Sequence, residues 1–380
     1  MFDWLRKTGC SIGGKCSGCE WIKKGRHEQL KEKINTFRTL WTQENLPALP
    51  SEIPILDTGD KELRNVVDIS FVQQGTQSIF GFYDINREKL LPAAPCPALH
   101  PDLQQFLIDL SDNPPPIDQA SFRLRINQHG QRGMWIDASN INIRTLLNQK
   151  RWLRSWLREV HIEMGQRRKY VQDEGVEIRL NKAILRPWFS TPMKTLDKDI
   201  PLWTVVGAFT QPSIKANRHL VHHVMRLAEQ IQAKTWLEFG SGCGNFTLPL
   251  TQYAEKIIAT EISPLSREGL RKAAKQQQLH STIEISQINL QRNTDEARTL
   301  IEKADALLVD PPRSGLHHSL NTLEAASTLP THILYISCHA RSLVKDAGRL
   351  IEFGYELIHI EAIDQFPNTP HCEWISYWRR

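Results

Sequence analysis

Two short apolar segments, each ending in a polar group, constrain the fold of this chain more than any other feature. Residues 307–309 continue into Asp310-Pro311-Pro312, and residues 334–336 continue into Ser337-Cys338. Because proline lacks a backbone donor and restricts the residue before it, the first segment must leave a sheet in an open loop. If the two strands are parallel, both polar groups lie at the carboxyl edge of the sheet, where such folds bind ligands. We therefore predict an enzyme with Asp310 and Cys338 at one sheet edge.

From about residue 215 onward, short apolar segments alternate with helical segments. This alternation predicts an α/β fold with a mostly parallel, doubly wound sheet. A late hairpin would add an antiparallel edge strand. The predicted strands are residues 235–239, 257–261, 283–285, 306–309, 333–336, 356–363 and 374–378, and the predicted helices are residues 217–230, 266–278 and 341–353.

The earlier part of the chain has a different composition. Cys and Gly are frequent at its start, a polar helical stretch at 27–40 follows, and Pro47, Pro50 and Pro54 mark residues 42–60 as a linker. Segments 69–72 and 80–83 predict a hairpin, and residues 148–165 predict a helix. We therefore predict three domains: a Cys-rich segment over 1–45, a central α+β domain over 46–210 and a catalytic domain over 211–380.

The distribution of charge favours a nucleic-acid partner. The net charge is +5 overall, but residues 121–170 contain eleven Lys or Arg and three Asp or Glu, a net charge of +8. Basic side chains attract phosphates, and the interleaved Trp135, Trp152 and Trp156 could stack on unpaired bases. The alternative for Trp152 and Trp156, which are four residues apart on a predicted helix, is a position in the core. We expect this segment to bind nucleic acid.

The sequence contains no membrane or secretion signal. No apolar run approaches the roughly 18 residues that a membrane span requires. The first 24 residues lack the apolar core and cleavage site of a secretory signal. We expect a monomeric, cytoplasmic protein without a membrane partner.

A glycine-rich loop follows the first predicted strand of the α/β region. Residues 240–244, Gly-Ser-Gly-Cys-Gly, permit a tight turn and let a ligand approach the backbone. Glu261, at the end of the next strand, is placed to bind both hydroxyls of a ribose. The loop lacks the Lys-Ser/Thr pair of a P-loop, which argues against that motif. A dinucleotide-binding fold remains an alternative interpretation.

Four cysteines suggest a metal site. Cys10, Cys16 and Cys19 have the spacing C-x5-C-x2-C, and Cys96 follows between two prolines. Four thiolates from one compact loop and one distant segment can hold zinc or a [4Fe–4S] cluster, and the spacing favours neither. Disulfides are not expected in the cytoplasm.

Together these motifs resemble the RNA uracil-C5 methyltransferase family, and within it the iron–sulfur ribosomal RNA enzymes of the RlmC (RumB) type. The resemblance extends over essentially the whole chain and is most specific in Asp-Pro-Pro-Arg at 310–313, Ser-Cys at 337–338 and Phe-Pro-x-Thr-x-His-x-Glu at 366–373. It implies a class I S-adenosylmethionine-dependent methyltransferase that forms 5-methyluridine in 23S ribosomal RNA. Methylation of transfer RNA is the alternative, and a catalytically silent RNA-binding paralogue is a third hypothesis.

The resemblance also implies residue roles. Cys338 would add to carbon 6 of uracil, Glu373 would remove the proton from carbon 5, and Arg313 could support the enolate or a phosphate. Because a stacked base cannot present carbon 6 to a thiol, the target uridine must be flipped out or lie in a loop. The expected S-adenosylmethionine site consists of Gln211, Gly240, Glu261, Asn289 and Asp310, and the expected ligands of a [4Fe–4S] cluster, which the resemblance favours over zinc, are Cys10, Cys16, Cys19 and Cys96.

Overall fold

The computed structural model describes residues 9–93, 95–137, 142–194 and 199–380. The chain divides into two compact units. Unit 1 contains the described parts of Met1–Gly25, Gly59–Phe189 and Thr204–Ile214, and unit 2 contains those of Arg26–Thr58, Ser190–Trp203 and Lys215–Arg380.

The units differ from the predicted domains near the start of the chain. Helix α1 (Arg26–Gln43) and strand β1 (Ile55–Asp57) belong to unit 2, although the sequence predicted a boundary at 45 and a linker over 42–60. The reason is packing: Phe37 of α1 stacks on Trp374, with ring centroids 4.0 Å apart, and β1 pairs with a late strand. The Cys-rich loop and the strand-rich region share unit 1.

Unit 1 is built on an eight-stranded sheet in which neighbouring strands are antiparallel except for one pair. Its elements are β2 (Val66–Gln74), β3 (Gln77–Tyr83), β4 (Leu90–Pro92), α2 (Pro101–Asp112), β5 (Gln119–Ile126), β6 (Arg132–Asp137), α3 (Ile143–Asn148), α4 (Lys150–Leu157), β7 (Val160–Met164), β8 (Lys169–Asp173) and β9 (Ile178–Asn181). The strand order is β4-β3-β2-β5-β6-β7-β8-β9, and β6 and β7 are the parallel pair.

Two sequence predictions for unit 1 have opposite outcomes. The hairpin is confirmed, since β2 and β3 pair with Phe71 opposite Phe80. The helix predicted over 148–165 is wrong in its second half, because α4 ends at Leu157 and the chain continues into β7, all of whose residues are buried. Trp152 and Trp156 each expose 7% of their surface, so both lie in the core and not on a base-stacking surface.

Unit 2 contains the predicted doubly wound sheet. Further elements of the chain are β10 (Arg186–Thr191), β11 (Ile200–Thr204), α5 (Ile214–Ile231), β12 (Thr235–Phe239), α6 (Thr247–Leu250), β13 (Lys256–Thr260), α7 (Pro264–Gln276), β14 (Ile283–Ser286), α8 (Asp295–Glu302), β15 (Ala306–Val309), α9 (Ser319–Glu324), β16 (His332–Ser337), α10 (Ala340–Glu352), β17 (Glu356–Asp364) and β18 (Glu373–Arg379). The order of the large sheet is β1-β17-β18-β16-β15-β12-β13-β14, and β10 and β11 form a separate two-stranded sheet.

The fold class is confirmed, with one correction at the late hairpin. Strand β18 is antiparallel to both of its neighbours, as predicted, but it lies inside the sheet between β16 and β17 and not at an edge. An interior position fits its sequence, because Trp374, Ile375 and Trp378 are all at most 2% exposed. Among the described residues, every helix is too short or too polar to cross a bilayer.

Candidate active site

The register of the sheet brings two predicted catalytic residues to one edge. Ser337, the last residue of β16, is paired with Trp374 of the antiparallel strand β18. The next residues outward on the two strands are Cys338 and Glu373, and neighbouring strands lie about 4.8 Å apart. Since β15 runs parallel to β16 and ends at Val309, Asp310 leaves the sheet at the same edge. The predicted convergence of these three side chains is therefore built into the strand pairing.

The Cys338 thiol is half-buried and close to both carboxyl groups. Burial, followed by the negative charges of Glu373 and Asp310, raises the pKa of Cys338 to about 12, while the positive charge of Arg313 opposes them. The thiol is therefore protonated near neutral pH, and a nucleophilic role requires that it first transfer its proton to a base.

Glu373 and Asp310 form an acid pair beside this thiol. Burial and the charge of Asp310 raise the pKa of Glu373 well above its usual range, whereas a hydrogen bond with the side chain of Gln365 lowers it. Burial also raises the pKa of Asp310 to about 7. Glu373 is 2% exposed, and its Oε2 atom has no hydrogen-bond partner among the described residues. A buried carboxyl oxygen without a partner is uncommon and indicates a place for a ligand group.

Two loops around these residues are fixed by hydrogen bonds. An Nη2 donor of Arg313 lies 2.7 Å from Nε2 of His371, and burial together with the charge of Arg313 lowers the pKa of His371 to about 4. The Asp346 carboxylate accepts hydrogen bonds from the Leu316 N–H at 2.7 Å and the Tyr335 hydroxyl at 2.5 Å. The loop that follows Asp310 is therefore anchored to β16 through Asp346.

The glycine loop lies at the same edge of the sheet, between β12 and α6. Gly240 and Gly242 have φ angles of +71° and +57°, a region that side-chain-bearing residues rarely adopt. The Glu261 carboxylate accepts the Gly242 N–H at 3.0 Å and the Ser263 N–H at 2.6 Å. Because carboxylate oxygens each have two lone pairs, Glu261 can still accept hydrogen bonds from a ligand.

A cavity of about 150 Å³ lies beside this loop. It is lined by four of the five residues predicted to bind S-adenosylmethionine, Gly240, Glu261, Asn289 and Asp310, and by apolar side chains that include Ile262, Ile288 and Leu290. The fifth predicted residue, Gln211, is buried in unit 1.

The four N-terminal cysteines interact with one another within unit 1. Cys10 and Cys16 are buried, and Cys19 and Cys96 are half-buried. Burial first, and then Cys96, Cys16 and Cys10, raise the pKa of Cys19 to about 12. Four thiols so placed fit a cation chemically, since thiolates together repel one another unless a metal neutralises them. In the described part of the chain, however, no three His, Cys, Asp or Glu side chains form a ready-made metal site.

Two residues of α1 contact the site although the sequence did not predict them there. The buried side chains of this helix are Gln29, Lys33, Phe37 and Trp41, which recur every four residues on one face. The missed signal was this spacing, which places a glutamine and a lysine on the apolar face of the helix. Both contact the segment that leads to Glu373.

Comparison with known proteins assigns the family. The sequence model described as tRNA (Uracil-5-)-methyltransferase matches residues 175–378. An uncharacterized RNA methyltransferase of Bdellovibrio bacteriovorus is 34% identical over 100% of this chain and 97% of its own length. The chain belongs to the RNA uracil-C5 methyltransferase family. As a member, it is an S-adenosylmethionine-dependent RNA methyltransferase.

Other members of the uracil-C5 methyltransferase family are more distant. The 23S rRNA (uracil(1939)-C(5))-methyltransferase RlmD of Histophilus somni is 30% identical over 56% of this chain and 46% of that enzyme. The crystal structure of Pyrococcus abyssi tRNA (uracil-54, C5)-methyltransferase with S-adenosyl-L-homocysteine has a TM-score of 0.67 at 17% identity, and covers 95% of this chain and 85% of its own. The structural likeness supports the fold. The predicted RlmC type stays a prediction.

Proposed function

We propose that this methyltransferase forms 5-methyluridine through a covalent adduct between Cys338 and carbon 6 of uracil, with 23S ribosomal RNA as its substrate. The observation that carries the mechanism is the pairing of Ser337 with Trp374, because Cys338 and Glu373 are the next residues outward on the two chains and Glu373 acts on the Cys338 thiol through its charge. The RlmD name of one relative favours ribosomal RNA, while the transfer RNA enzyme of similar fold keeps transfer RNA as the second candidate.

The chemistry begins with the thiol proton. The acid pair of Asp310 and Glu373 accepts it, because both carboxyl groups act on the Cys338 thiol and burial raises the pKa of each. The Cys338 thiolate then adds to carbon 6, and carbon 5 becomes an enolate carbon that can accept a methyl group. After Glu373 has released its own proton to solvent, its unpaired Oε2 takes the proton from carbon 5, so that the thiolate leaves and the ring regains its double bond.

The residues that line the cavity beside the glycine loop suit S-adenosylmethionine, which supplies the electrophilic methyl group. Glu261 would accept hydrogen bonds from the ribose hydroxyls, and the apolar side chains of Ile262 and Ile288 would pack on the adenine. Asp310 lines both this cavity and the surroundings of Cys338, so the cofactor and the target base would meet at its carboxyl group.

Two variants test the covalent mechanism with RNA that contains 5-fluorouridine, whose carbon 5 carries no removable proton. The wild-type enzyme should form a covalent complex that resists denaturation, and Cys338→Ala should form none and lose methyl transfer. The control is Cys372→Ala, which removes a fully buried thiol whose Sγ lies 3.3 Å from the Ile363 carbonyl oxygen. On ordinary uridine RNA, Glu373→Gln should form the adduct and release it slowly. Activity in Cys338→Ala would refute the mechanism.

An open groove of about 780 Å³ on unit 1 is a site where we propose that the RNA substrate binds. The groove crosses β2, β3, β5 and β6, and its lining includes Tyr83, Arg87, Arg123 and Trp135. Tyr83 is 44% exposed, which leaves its ring available for base stacking. The positive charge of this region contributes less to RNA binding than the sequence suggested, because the Arg123 side chain pairs with Asp68.

The groove is tested by Tyr83→Ala and Arg87→Ala, which should weaken RNA binding and raise KM with kcat retained. Loss of one stacked base costs about 1–3 kcal/mol, or roughly 5- to 150-fold in affinity. Arg179→Ala, an exposed arginine on β9 at the opposite edge of the same sheet, is the control. Unchanged affinity in both groove variants would remove the groove from the RNA site.

The four cysteines are proposed to hold a [4Fe–4S] cluster with a structural role. The loop that carries them also contacts the groove, because Ser17 lies between Cys16 and Cys19 and its hydroxyl donates to the Tyr83 carbonyl at 2.7 Å. A cluster bound to Cys10, Cys16, Cys19 and Cys96 would therefore stabilise the groove wall. Anaerobically purified protein should be brown and contain iron, whereas colourless protein with zinc would overturn the assignment.

The substrate is identified by mapping 5-methyluridine in RNA from cells that lack this protein. Loss of one modified position in 23S ribosomal RNA would support the first candidate, and loss in transfer RNA the second. An unchanged map in both RNAs would refute both candidate substrates.

A further inference from the structure

We propose that helix α1 positions the catalytic base: Lys33 and Gln29 hold residues 364–368 in place, and Gln365 of that segment orients the Glu373 carboxylate. This inference rests on the proposed role of Glu373. All of these residues belong to unit 2. It assigns a function to a buried charge pair that takes no part in the mechanism above.

Lys33 fixes the chain on both sides of Gln365. Its ammonium group lies 2.6 Å from the Asp364 carboxylate and donates to the Phe366 carbonyl at 3.0 Å. The side chains of Lys33 and Asp364 are both completely buried. Gln365, between these two anchors, is 3% exposed and forms the side-chain hydrogen bond to Glu373. Moving either anchor would therefore move the group that orients the base.

Gln29 holds the same segment two residues further along. Its amide nitrogen donates to the Asn368 side-chain oxygen at 3.0 Å, and its amide oxygen accepts the Asn368 backbone N–H at 2.8 Å. Asn368 has a φ of +63°, so the chain turns sharply there before it returns towards Glu373. The two hydrogen bonds from one buried amide fix both the backbone and the side chain of this turn.

A purely stabilising role explains this arrangement poorly. Buried ion pairs are often no more stabilising than apolar residues of similar volume, because both charges must lose their hydration. The other half of the same helix face is apolar, and there Phe37 and Trp41 pack against Trp374 and Trp378 through their rings. Unlike an apolar side chain, Lys33 bonds directionally to two points of the segment, the Asp364 carboxylate and the Phe366 carbonyl.

The decisive variant is Lys33→Met, which keeps the side-chain length and removes the ammonium group. Asp364 retains a charged partner in this variant, because Arg26 also pairs with it, so we expect the protein to fold. With ordinary uridine RNA, kcat should fall about 10- to 100-fold at unchanged KM, as for a small displacement of a catalytic group. The covalent Cys338 adduct should form at the wild-type rate and accumulate. Lys31→Met, an exposed lysine on the same helix, is the control.

The outcomes separate this proposal from the one on which it depends. Glu373→Gln is measured in parallel, and if it does not accumulate the adduct, the proposed role of Glu373 fails. If Glu373→Gln accumulates the adduct and Lys33→Met does not, the positioning role of α1 is wrong. A lower melting temperature in Lys33→Met with normal turnover per folded molecule would likewise reduce Lys33 to a structural residue. Gln29→Leu should repeat the Lys33→Met behaviour.

Discussion

The most direct consequence of the site geometry concerns the reactivity of Cys338 in the enzyme without RNA. Its pKa is raised from 9.0 to about 12. The rise reduces the thiolate fraction at pH 8 by roughly a thousandfold. Part of this loss is recovered, because thiolates of higher pKa are more nucleophilic, with a Brønsted coefficient of about 0.4–0.5. The net expectation is alkylation about 50-fold slower than for an ordinary thiol.

Alkylation with iodoacetamide, followed by mass spectrometry of the peptide that contains Cys338, measures this rate against a small reference thiol. The rate should rise continuously from pH 7 to pH 10, because the thiolate becomes abundant only as the pH approaches the raised pKa. Glu373→Gln cannot acquire the negative charge that ranks second, after burial, among the causes of the shift, so it should speed alkylation at pH values high enough to ionise Glu373 in the wild type. As a control, denaturation of the protein should restore the alkylation rate of an ordinary thiol.

Two results would refute the reasoning. Alkylation of native Cys338 as fast as the reference thiol would mean that the thiol is not held protonated by its surroundings. Slower alkylation in Glu373→Gln would mean that the carboxylate does not act on Cys338 through its charge, and the two residues would then not share a site.

Three further predictions concern the surroundings of the site. Glu261→Gln should weaken S-adenosylmethionine binding in calorimetry, because the carboxylate that holds the glycine loop loses its charge; wild-type affinity would exclude Glu261 from the cofactor site. Asp346→Ala should lower the free energy of unfolding in urea by about 2–4 kcal/mol, since it leaves two buried donors without an acceptor; a loss below about 1 kcal/mol would contradict the anchoring of the loop. His371, whose pKa is lowered to about 4, should stay neutral as the pH falls from 8 to 5, and a titration of its NMR signals near pH 6.5 would show that burial and the charge of Arg313 do not suppress its protonation.

Local sequence patterns were sufficient to predict the secondary structure of unit 2, but they were insufficient for parts of unit 1. Strands such as β12 and β15 are short apolar runs between helical segments, and a sequence window contains that signal. The segment after Leu157 contains Glu163, a charged residue that suits a helix surface. In the structure Glu163 is fully buried in β7, and its carboxylate accepts the N–H groups of Val206 and Gly207 more than forty residues away. No window of the sequence shows that pairing.

The candidate site likewise contains some residues that the sequence predicts and others that it does not. Cys338, Asp310 and Glu373 could be predicted because each occurs beside a strand end or in a distinctive motif, and parallel strand order brings strand ends together. Lys33 and Gln29 could not, because their partners Asp364 and Asn368 are separated from them by 331 and 339 positions. In a polar helix such residues look like part of a solvated surface. They are buried only because residues 364–368 pack against α1.

The interior position of β18 also determines the order in which unit 2 can be assembled. Strand β17 precedes β18 in the chain, yet it reaches β16 only through β18, and β1 in turn reaches the sheet only through β17. The segment 26–58 is synthesised well before β17 and must therefore wait for that strand before it finds its partner. Such long-range pairing slows folding. During synthesis, α1 would expose the apolar rings of Phe37 and Trp41 throughout that interval, which makes the nascent chain a substrate for chaperones.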